Sequence, residues 1–334
     1  MSDDIEIAHP RDVYEFHNAG RAESDFADAL ARGRLHHAWL LCGPEGVGKA
    51  TFAYRAARRL MGARPDPDLG LLGASPDDVV SHQVAARSHP DLMVLERIGD
   101  DGKARKSIPV DEARRLPEFF SKAPAISPWR VAIIDSVDDM NVNAANALLK
   151  TLEEPPERGV LFLVSHAPGG LLPTIRSRCR RLRFEAWDDE AAAGFLRSHV
   201  SATEEEALRL AKMARGAPGR ALQLAARDAL ALDQAAHEIL QQLPDCAFAP
   251  LQALTDSFRG AEGAERFNLL FERLAARVHD RALLSAKQAS TPSDRWFAVW
   301  DRLVRLPQQV EAVNLDRGDA FWAAMTDLRS AARA

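Results

Sequence analysis

The sequence contains few cysteines and no long apolar run, and both scarcities restrict what the protein can be. Its three cysteines, Cys42, Cys179 and Cys246, are far apart and form no C-x-x-C pair. This spacing predicts neither a disulfide framework nor a zinc site, and it favours a reducing compartment. No segment approaches the roughly 18 consecutive apolar residues of a membrane-spanning helix, so no membrane contact is expected.

An excess of charge of one sign is also missing. The 43 Lys and Arg residues nearly balance the 48 Asp and Glu residues, which leaves a formal net charge of −5. Any contact with nucleic acid must therefore come from a local basic patch. The first ten residues, MSDDIEIAHP, lack the apolar core of a signal peptide, so a cytoplasmic location is expected.

Short apolar runs alternate with helical patterns in the first half of the chain. Five runs have the length of strands: residues 37–42, 91–96, 130–135, 160–165 and 180–184. The runs over 130–135 and 160–165 are almost continuously apolar, as expected for parallel strands that are covered on both faces. Strands separated by helices predict an open α/β sheet that binds ligands at the carboxyl ends of its strands.

The second half of the chain shows helical periodicity only. Its first predicted helices cover residues 190–200, 204–215 and 221–243. The domains are therefore predicted as an α/β domain over residues 1–186, a small helical domain over 187–245 and a helical C-terminal domain over 246–334. Residues 62–90 and 99–107 predict irregular surface segments, and Asp111 predicts a helix cap.

The most specific motif is Gly-Pro-Glu-Gly-Val-Gly-Lys at residues 43–49, which follows the first strand and opens a helix. It has the form of a phosphate-binding loop (P-loop). The glycines, Gly43, Gly46 and Gly48, let backbone N–H groups surround phosphates, and Lys49 reaches the terminal ones. The motif predicts an α/β P-loop fold with ATP or ADP as the ligand.

The residues after the lysine depart from the P-loop pattern. The next residue normally offers a hydroxyl to Mg²⁺, but Ala50 has no oxygen. Thr51 is rotated about 100° further around the helix and is expected to point away from the metal. The sequence therefore predicts weak Mg²⁺ binding at most, and nucleotide binding with little turnover.

A second departure lies at the end of the third strand. Asp135 is the residue type that P-loop proteins place beside the hydrated metal, although it also suits a simple helix cap. Many such ATPases follow this aspartate with a glutamate that activates water. Here the next residue is Ser136, which weakens the case for hydrolysis for an independent reason.

Two further motifs are Asn-Ala-Leu-Leu-Lys-Thr-Leu-Glu-Glu-Pro-Pro at residues 146–156 and Ser177-Arg178-Cys179. With them, residues 35–184 resemble the AAA+ ATPases of sliding-clamp loaders, in particular the bacterial DNA polymerase III clamp loader. With Ala50 in place of the hydroxyl residue and Ser136 in place of the glutamate, the sequence resembles its delta-prime type of subunit more than its gamma/tau motor subunits. The resemblance implies an AAA+ domain, a helical lid and a collar-like C-terminal domain.

The resemblance also implies roles for individual residues. Arg178 corresponds to an arginine finger that enters the ATP site of a neighbouring subunit, although the surrounding arginines suit a solvated basic strip. Asn146 and Lys150 correspond to positions that face primer–template DNA. A surface pair of Lys150 with Glu154 explains that lysine equally well. Residues 62–90 contain no cysteine, so the zinc module of gamma/tau relatives is not expected.

The expected function is a delta-prime-like ring member in DNA replication. It would assemble with gamma/tau and delta subunits, supply Arg178 in trans and help to load the sliding clamp on primed DNA. No polymerase site of its own is expected. The alternatives are an active ATP-hydrolysing motor subunit, a small-molecule kinase and a P-loop scaffold unrelated to replication.

Overall fold

The protein was analysed as a computed structural model that describes residues 7–17, 20–97, 105, 107–287 and 294–333. The chain divides into two compact units, Met1–Gln223 and Leu224–Ala334. The finer division at residues 186 and 245 stays a prediction. No helix among the described residues is both long enough and apolar enough to cross a membrane.

The first unit is built on a parallel sheet. Its strands are β1 Ala38–Cys42, β2 Leu92–Glu96, β3 Arg130–Asp135, β4 Gly159–Ser165 and β5 Arg180–Arg183. Their order in the described sheet is β2-β3-β4-β1-β5. All five predicted strands are confirmed to within one residue at their ends. The parallel order places the carboxyl ends of all five strands at one edge of the sheet.

Helices cover both faces of this sheet. Those that begin in the first unit are α1 Gly20–Ala31, α2 Lys49–Leu60, α3 Val79–Ala85, α4 Val110–Ser121, α5 Val142–Glu153, α6 Pro173–Ser177, α7 Asp189–His199, α8 Glu204–Met213 and α9 Pro218–Ala226. Side chains alternate between the faces along each strand. Trp39 and Leu41 therefore pack with α1 and α2 on one face, while Leu40 packs with α4 and α5 on the other.

The second unit is helical in the part of the chain that the structure describes. Its helices are α10 Ala229–Gln242, α11 Phe248–Asp256, α12 Gly260–Lys287, α13 Asp294–Val313 and α14 Arg317–Arg333. Arg277 joins α12 to α10 through an ion pair of 2.6 Å with Asp233. The aromatic rings of Phe258, Phe267 and Phe321 pack together in the interior.

Three details differ from the sequence-based prediction. The segment 62–90 contains α3, whose start is capped by Asp78, and it buries Leu72 and Ala74. The helix predicted over 221–243 is two helices, because Asp228 adopts a left-handed backbone conformation with φ 52°. Asp111 is not the cap of α4 but lies in its first turn, since Pro109 occupies the cap position.

The predicted break over 99–107 falls mostly outside the described residues. Where the chain is described again, Arg105 donates its backbone N–H to the carbonyl oxygen of Arg97. Arg105 also forms an ion pair of 2.6 Å with Glu112 in the first turn of α4.

Candidate nucleotide-binding site

A cavity of about 320 Å³ opens at the carboxyl edge of the sheet. Six of the predicted site residues line it: Gly46, Gly48, Lys49, Ala50, Thr51 and Asp135. The predicted P-loop and the end of β3 therefore meet in one site. Gly43 belongs to the same loop, although it does not line the cavity itself.

The P-loop offers a row of unused hydrogen-bond donors to this cavity. Helix α2 begins at Lys49, and its first internal hydrogen bond runs from the N–H of Phe52 to the carbonyl oxygen of Gly48. No acceptor among the described residues pairs with the backbone N–H groups of residues 45–51. Unpaired N–H groups at a helix start favour anions, and glycine-rich loops of this kind bind phosphates. The loop thus fits a nucleotide phosphate.

Lys49 is buried within the loop instead of reaching into solvent. Its side chain is 2% exposed, and its Nζ donates to the carbonyl oxygens of Gly43, at 2.7 Å, and Pro44. Burial lowers the pKa of Lys49 to about 8, against the opposing attraction of Asp135. The ammonium group remains charged at neutral pH and keeps one donor for a ligand.

Asp135 is the acidic group at the end of β3. Burial, together with the nearby charge of Glu96, raises the pKa of Asp135 to about 6, although the charge of Lys49 opposes the shift. Glu96 ends the neighbouring strand β2 in register with Asp135. Arg87 binds Glu96 at 2.5 Å, and the charge that most opposes the pKa shift of Asp135 is that of Lys49.

The polar residues that follow Asp135 form hydrogen bonds with each other and with the end of β4. Ser136 is 3% exposed, and its Oγ donates to Asp139 at 3.3 Å. Asp138 accepts hydrogen bonds from Ser165 Oγ at 2.9 Å and from the backbone N–H of His166 at 2.6 Å. These bonds fix the start of the loop after β4, and His166 lines the cavity. Ser136, Asp138 and Asp139 themselves do not line the cavity.

The metal side of the site is incomplete. Ala50 contributes only a methyl group where a P-loop places the Mg²⁺ hydroxyl, and Thr51 lines the cavity beside it. Among the described residues, no group of three or more His, Cys, Asp or Glu side chains is arranged to hold a metal ion. The donors present therefore fit a phosphate better than a divalent cation.

One wall of the cavity comes from the amino-terminal segment 7–17, which the sequence-based prediction missed. Arg58 donates to the carbonyl oxygen of Arg11, and its guanidinium lies 4.3 Å from the ring centre of Tyr14. Arg55 donates to the carbonyl oxygen of Tyr14. The side chains of both arginines are buried. They hold the segment against α2, where Phe16 and its neighbours line the cavity.

The opposite wall comes from the helices that follow the sheet, and it too was missed. Trp187, Phe195 and Leu222 present apolar surface to the cavity. The rings of Trp187 and Phe195 pack edge to face at 5.5 Å. Apolar walls around a few polar groups are typical of small-molecule sites.

Arg178 lies outside this cavity. It follows directly after α6 and is 36% exposed at its side chain. Its guanidinium donates to the carbonyl oxygen of Thr174 at 3.1 Å and pairs with Glu153 at 3.0 Å. The arginine thus lies at the surface and does not contact the chain's own P-loop.

The two predicted DNA-facing residues lie on the exposed side of α5. Asn146 and Lys150 are one turn apart and both are exposed. The side-chain pair expected between Lys150 and Glu154 is not formed among the described residues. At this end of α5 the glutamate that forms an ion pair is Glu153, and its partner is Arg178. Lys150 therefore keeps its ammonium group in solvent.

Comparison with known proteins relates the chain to one replication family. A family model described as DNA polymerase III, delta subunit, matches residues 19–188. The chain is 43% identical over 148 residues to DNA polymerase III subunit delta' of Pseudomonas aeruginosa, which covers 44% of this chain and 43% of that protein. It is 30% identical over 192 residues to subunit delta' of Escherichia coli, which covers 58% and 55%.

Similarity extends to other subunits of the same assembly. The chain is 30% identical over 295 residues to DNA polymerase III subunit tau of Escherichia coli, which covers 86% of this chain and 42% of that protein. The chain thus spans about half the length of the curated relatives that it matches.

A solved structure bears on the fold alone. A DNA polymerase III gamma subunit-related protein from Thermotoga maritima is similar with a TM-score of 0.50 and 19% identity, which covers 92% of this chain and 100% of that chain. The predicted fold is confirmed in its α/β P-loop domain with a parallel sheet, followed by helices.

Proposed function

The chain belongs to the DNA polymerase III delta subunit family, and from this premise we propose that it is a delta-prime-like subunit of a clamp loader in DNA replication. It assembles in the cytoplasm with gamma/tau and delta subunits into a ring. The ring loads a sliding clamp on primer–template DNA. In this proposal the chain is a structural member of the ring and not its motor.

The observation that carries the proposal is the separation of two functions within one chain. The P-loop fits phosphates, yet Ala50 offers no metal ligand and Ser136 no base. Arg178, by contrast, is partly exposed at the surface and does not line that cavity. An exposed guanidinium is always charged and can bind phosphate oxygens bidentately. The chain therefore lacks groups that hydrolysis of its own nucleotide requires, and it presents the Arg178 guanidinium to the ATP of a neighbouring subunit.

Within its own cavity the chain binds and orients a nucleotide. The N–H groups of residues 45–51 and the ammonium of Lys49 hold the phosphates, while Trp187 and Phe16 exclude water from the base. In this proposal the chain binds ATP or ADP but does not hydrolyse it. The carboxylates of Glu15, Glu45 and Asp135 line the same cavity and weaken the binding of a polyphosphate that lacks Mg²⁺.

The finger is tested in a reconstituted clamp loader in which only the neighbouring subunit keeps a hydrolysis-competent P-loop. Arginine fingers contribute about 10³ to 10⁵ in kcat, so Arg178→Ala should lower clamp- and DNA-stimulated ATP hydrolysis by tenfold or more. Arg181→Ala is the matched control, because Arg181 is also an exposed arginine, three residues along the chain. Unchanged turnover in Arg178→Ala would contradict the assignment.

The cavity is tested in the isolated chain by fluorescence. Trp187 is half-buried in the cavity wall, so ADP or ATP should change its emission. Lys49→Ala should abolish the change, and Trp187→Phe should remove the signal without removing binding. Mg²⁺ should alter the affinity by only a few-fold. Substantial Lys49-dependent hydrolysis by the isolated chain would favour the motor-subunit alternative.

A further inference from the structure

Arg178 is held at the surface by contacts from two different elements. Its Nη1 donates to the carbonyl oxygen of Thr174 in α6 at 3.1 Å. Its Nη2 lies 3.0 Å from Oε1 of Glu153, the last residue of α5. Helices α5 and α6 pack on the same face of the sheet. The two groups that contact the guanidinium therefore belong to helices anchored in one core.

These contacts leave part of the guanidinium free. An arginine carries five N–H donors in a planar fork, and Thr174 and Glu153 use one nitrogen each. Side-chain exposures of 36% for Arg178 and 52% for Glu153 show that solvent reaches the pair. A pair this exposed adds little to stability. Its effect is to favour one orientation of a long side chain, by a factor of up to about five.

The geometry points to Glu153 as the positioning residue of Arg178. This inference rests on the proposed function, in which Arg178 acts on a neighbouring subunit's ATP. A finger must arrive with its donors aimed at the developing charge, and misplacement by about 1 Å can lower a rate by about 10²-fold. Glu153 orients the guanidinium of Arg178, and it does not touch the nucleotide.

The neighbouring residue Glu154 provides a matched comparison. It is also exposed and also acidic, but it lies about 100° further around the helix and takes the C-cap position of α5. Its backbone N–H bonds to the carbonyl oxygen of Lys150, and its carboxylate takes no part in the Arg178 pair. The two glutamates therefore have the same charge and exposure but only one of them orients the arginine.

The experiment uses the reconstituted clamp loader with one competent neighbouring site. Glu153→Gln should lower kcat for clamp- and DNA-stimulated ATP hydrolysis by up to about fivefold, with KM for ATP changed by less than about twofold, because orientation and not nucleotide binding is lost. Glu153→Asp, which keeps the charge, should restore part of kcat. Glu154→Gln should behave as the unsubstituted chain, and all variants should keep its melting temperature.

A double-substitution cycle separates this role from a general effect of charge. In an Arg178→Ala background, Glu153→Gln should lower kcat no further, since the group that it orients is gone. An equal loss in both backgrounds would overturn the inference, as would an unchanged kcat for Glu153→Gln beside a large loss for Arg178→Ala. An unchanged kcat for Arg178→Ala would overturn the proposed function and this inference together.

Discussion

The backbone N–H of Gly219 donates a hydrogen bond of 2.8 Å to the carbonyl oxygen of Gly46. The start of α9 therefore rests directly on the P-loop. The approach is so close that a Cβ atom added to Gly46 would lie 2.4 Å from the backbone nitrogen of Arg220. Gly46 also has a φ of +78°, which side chains rarely adopt.

Substitution of Gly46 should accordingly impair both the fold and the cavity. We expect Gly46→Ala to destabilise the first unit by about 2 kcal/mol or more, from backbone strain and displacement of α9, and to lower nucleotide affinity. Gly194→Ala in α7 is the control, because nothing lies within 4 Å of its added Cβ; it should be neutral or slightly stabilising. Thermal melting and fluorescence titration measure the two effects. Equal melting temperatures and equal nucleotide affinities for the two variants would contradict a close contact between Gly46 and α9.

Removal of one partner from the buried ion pair of Glu23 with Arg55 should be strongly destabilising. Their side chains are 10% and 2% exposed and 3.0 Å apart, and Glu23 Oε1 also accepts the N–H of Leu72 at 3.0 Å. Glu23→Ala leaves a buried guanidinium without its counter-ion, so we expect a loss of about 3–5 kcal/mol in the free energy of unfolding.

The control for this prediction lies in the same helix. Asp28 forms an exposed i,i+4 pair with Arg32, and Asp28→Ala should cost less than about 0.5 kcal/mol. Urea unfolding of both variants measures the difference. Similar losses from the two substitutions would show that burial does not strengthen the Glu23 pair.

The pKa of Asp135 predicts a stability that depends on pH. This pKa rises from the ordinary aspartate value of 3.8 to about 6 in the folded chain, so the folded chain holds a proton that the unfolded chain has released. Asp135 therefore lowers stability progressively from about pH 4 to 6, and the full penalty, about 3 kcal/mol, persists above pH 6.

Removal of the ionisable group should abolish this penalty. The difference in unfolding free energy between Asp135→Asn and the unsubstituted chain should increase in favour of the variant as the pH rises from 4 to 7. Asp77→Asn is the control for the loss of one aspartate, since Asp77 is exposed. Urea unfolding at each pH tests the prediction, which a pH-independent difference for Asp135→Asn would contradict.

The sheet and the P-loop were predictable from sequence because their signals are local. Strands β1, β3 and β4 are covered on both faces, so their apolar runs are continuous and unambiguous. The strand–glycine loop–lysine–helix order also places Gly43, Lys49 and Ala50 without further information. Asp135 could be assigned to the same site because parallel strands end at one edge.

The missed features depend on contacts that are distant along the chain. Arg58 and Arg11 are 47 residues apart, and Arg55 and Tyr14 are 41 apart, so no periodicity reveals that segment 7–17 lines the cavity. The available signal was that Arg55 and Arg58 lie among apolar residues in the middle of α2. The break at Asp228 was missed because apolar periodicity continues through it, although the backbone does not.

Lys150 should contact DNA phosphates in the assembled clamp loader. Its ammonium group is in solvent and forms no pair with Glu154 among the described residues. Each phosphate contact adds about 0.9 to the slope of log K against log salt. Lys150→Ala should therefore lower this slope by about one and weaken binding to all sequences alike.

Two comparisons sharpen the Lys150 prediction. Asn146→Ala removes a neutral side chain from the same face of α5 and should weaken binding without changing the slope. Lys212→Ala removes an exposed lysine from α8 and should change neither quantity. Fluorescence anisotropy with primer–template DNA at several salt concentrations provides the measurement. An unchanged slope for Lys150→Ala would assign this lysine to the solvated surface.

Restoring the missing groups should rebuild activity in steps. Ala50→Ser returns a metal ligand to the cavity, so nucleotide affinity should become Mg²⁺-dependent and rise by about tenfold. Hydrolysis should stay negligible, because Ser136 still provides no base. Adding Ser136→Glu should then produce slow hydrolysis that disappears with Lys49→Ala. Ser136→Ala in the Ala50→Ser background controls for loss of the hydrogen bond to Asp139. If Ala50→Ser alone hydrolysed ATP as fast as the double variant, position 136 would not limit the chemistry.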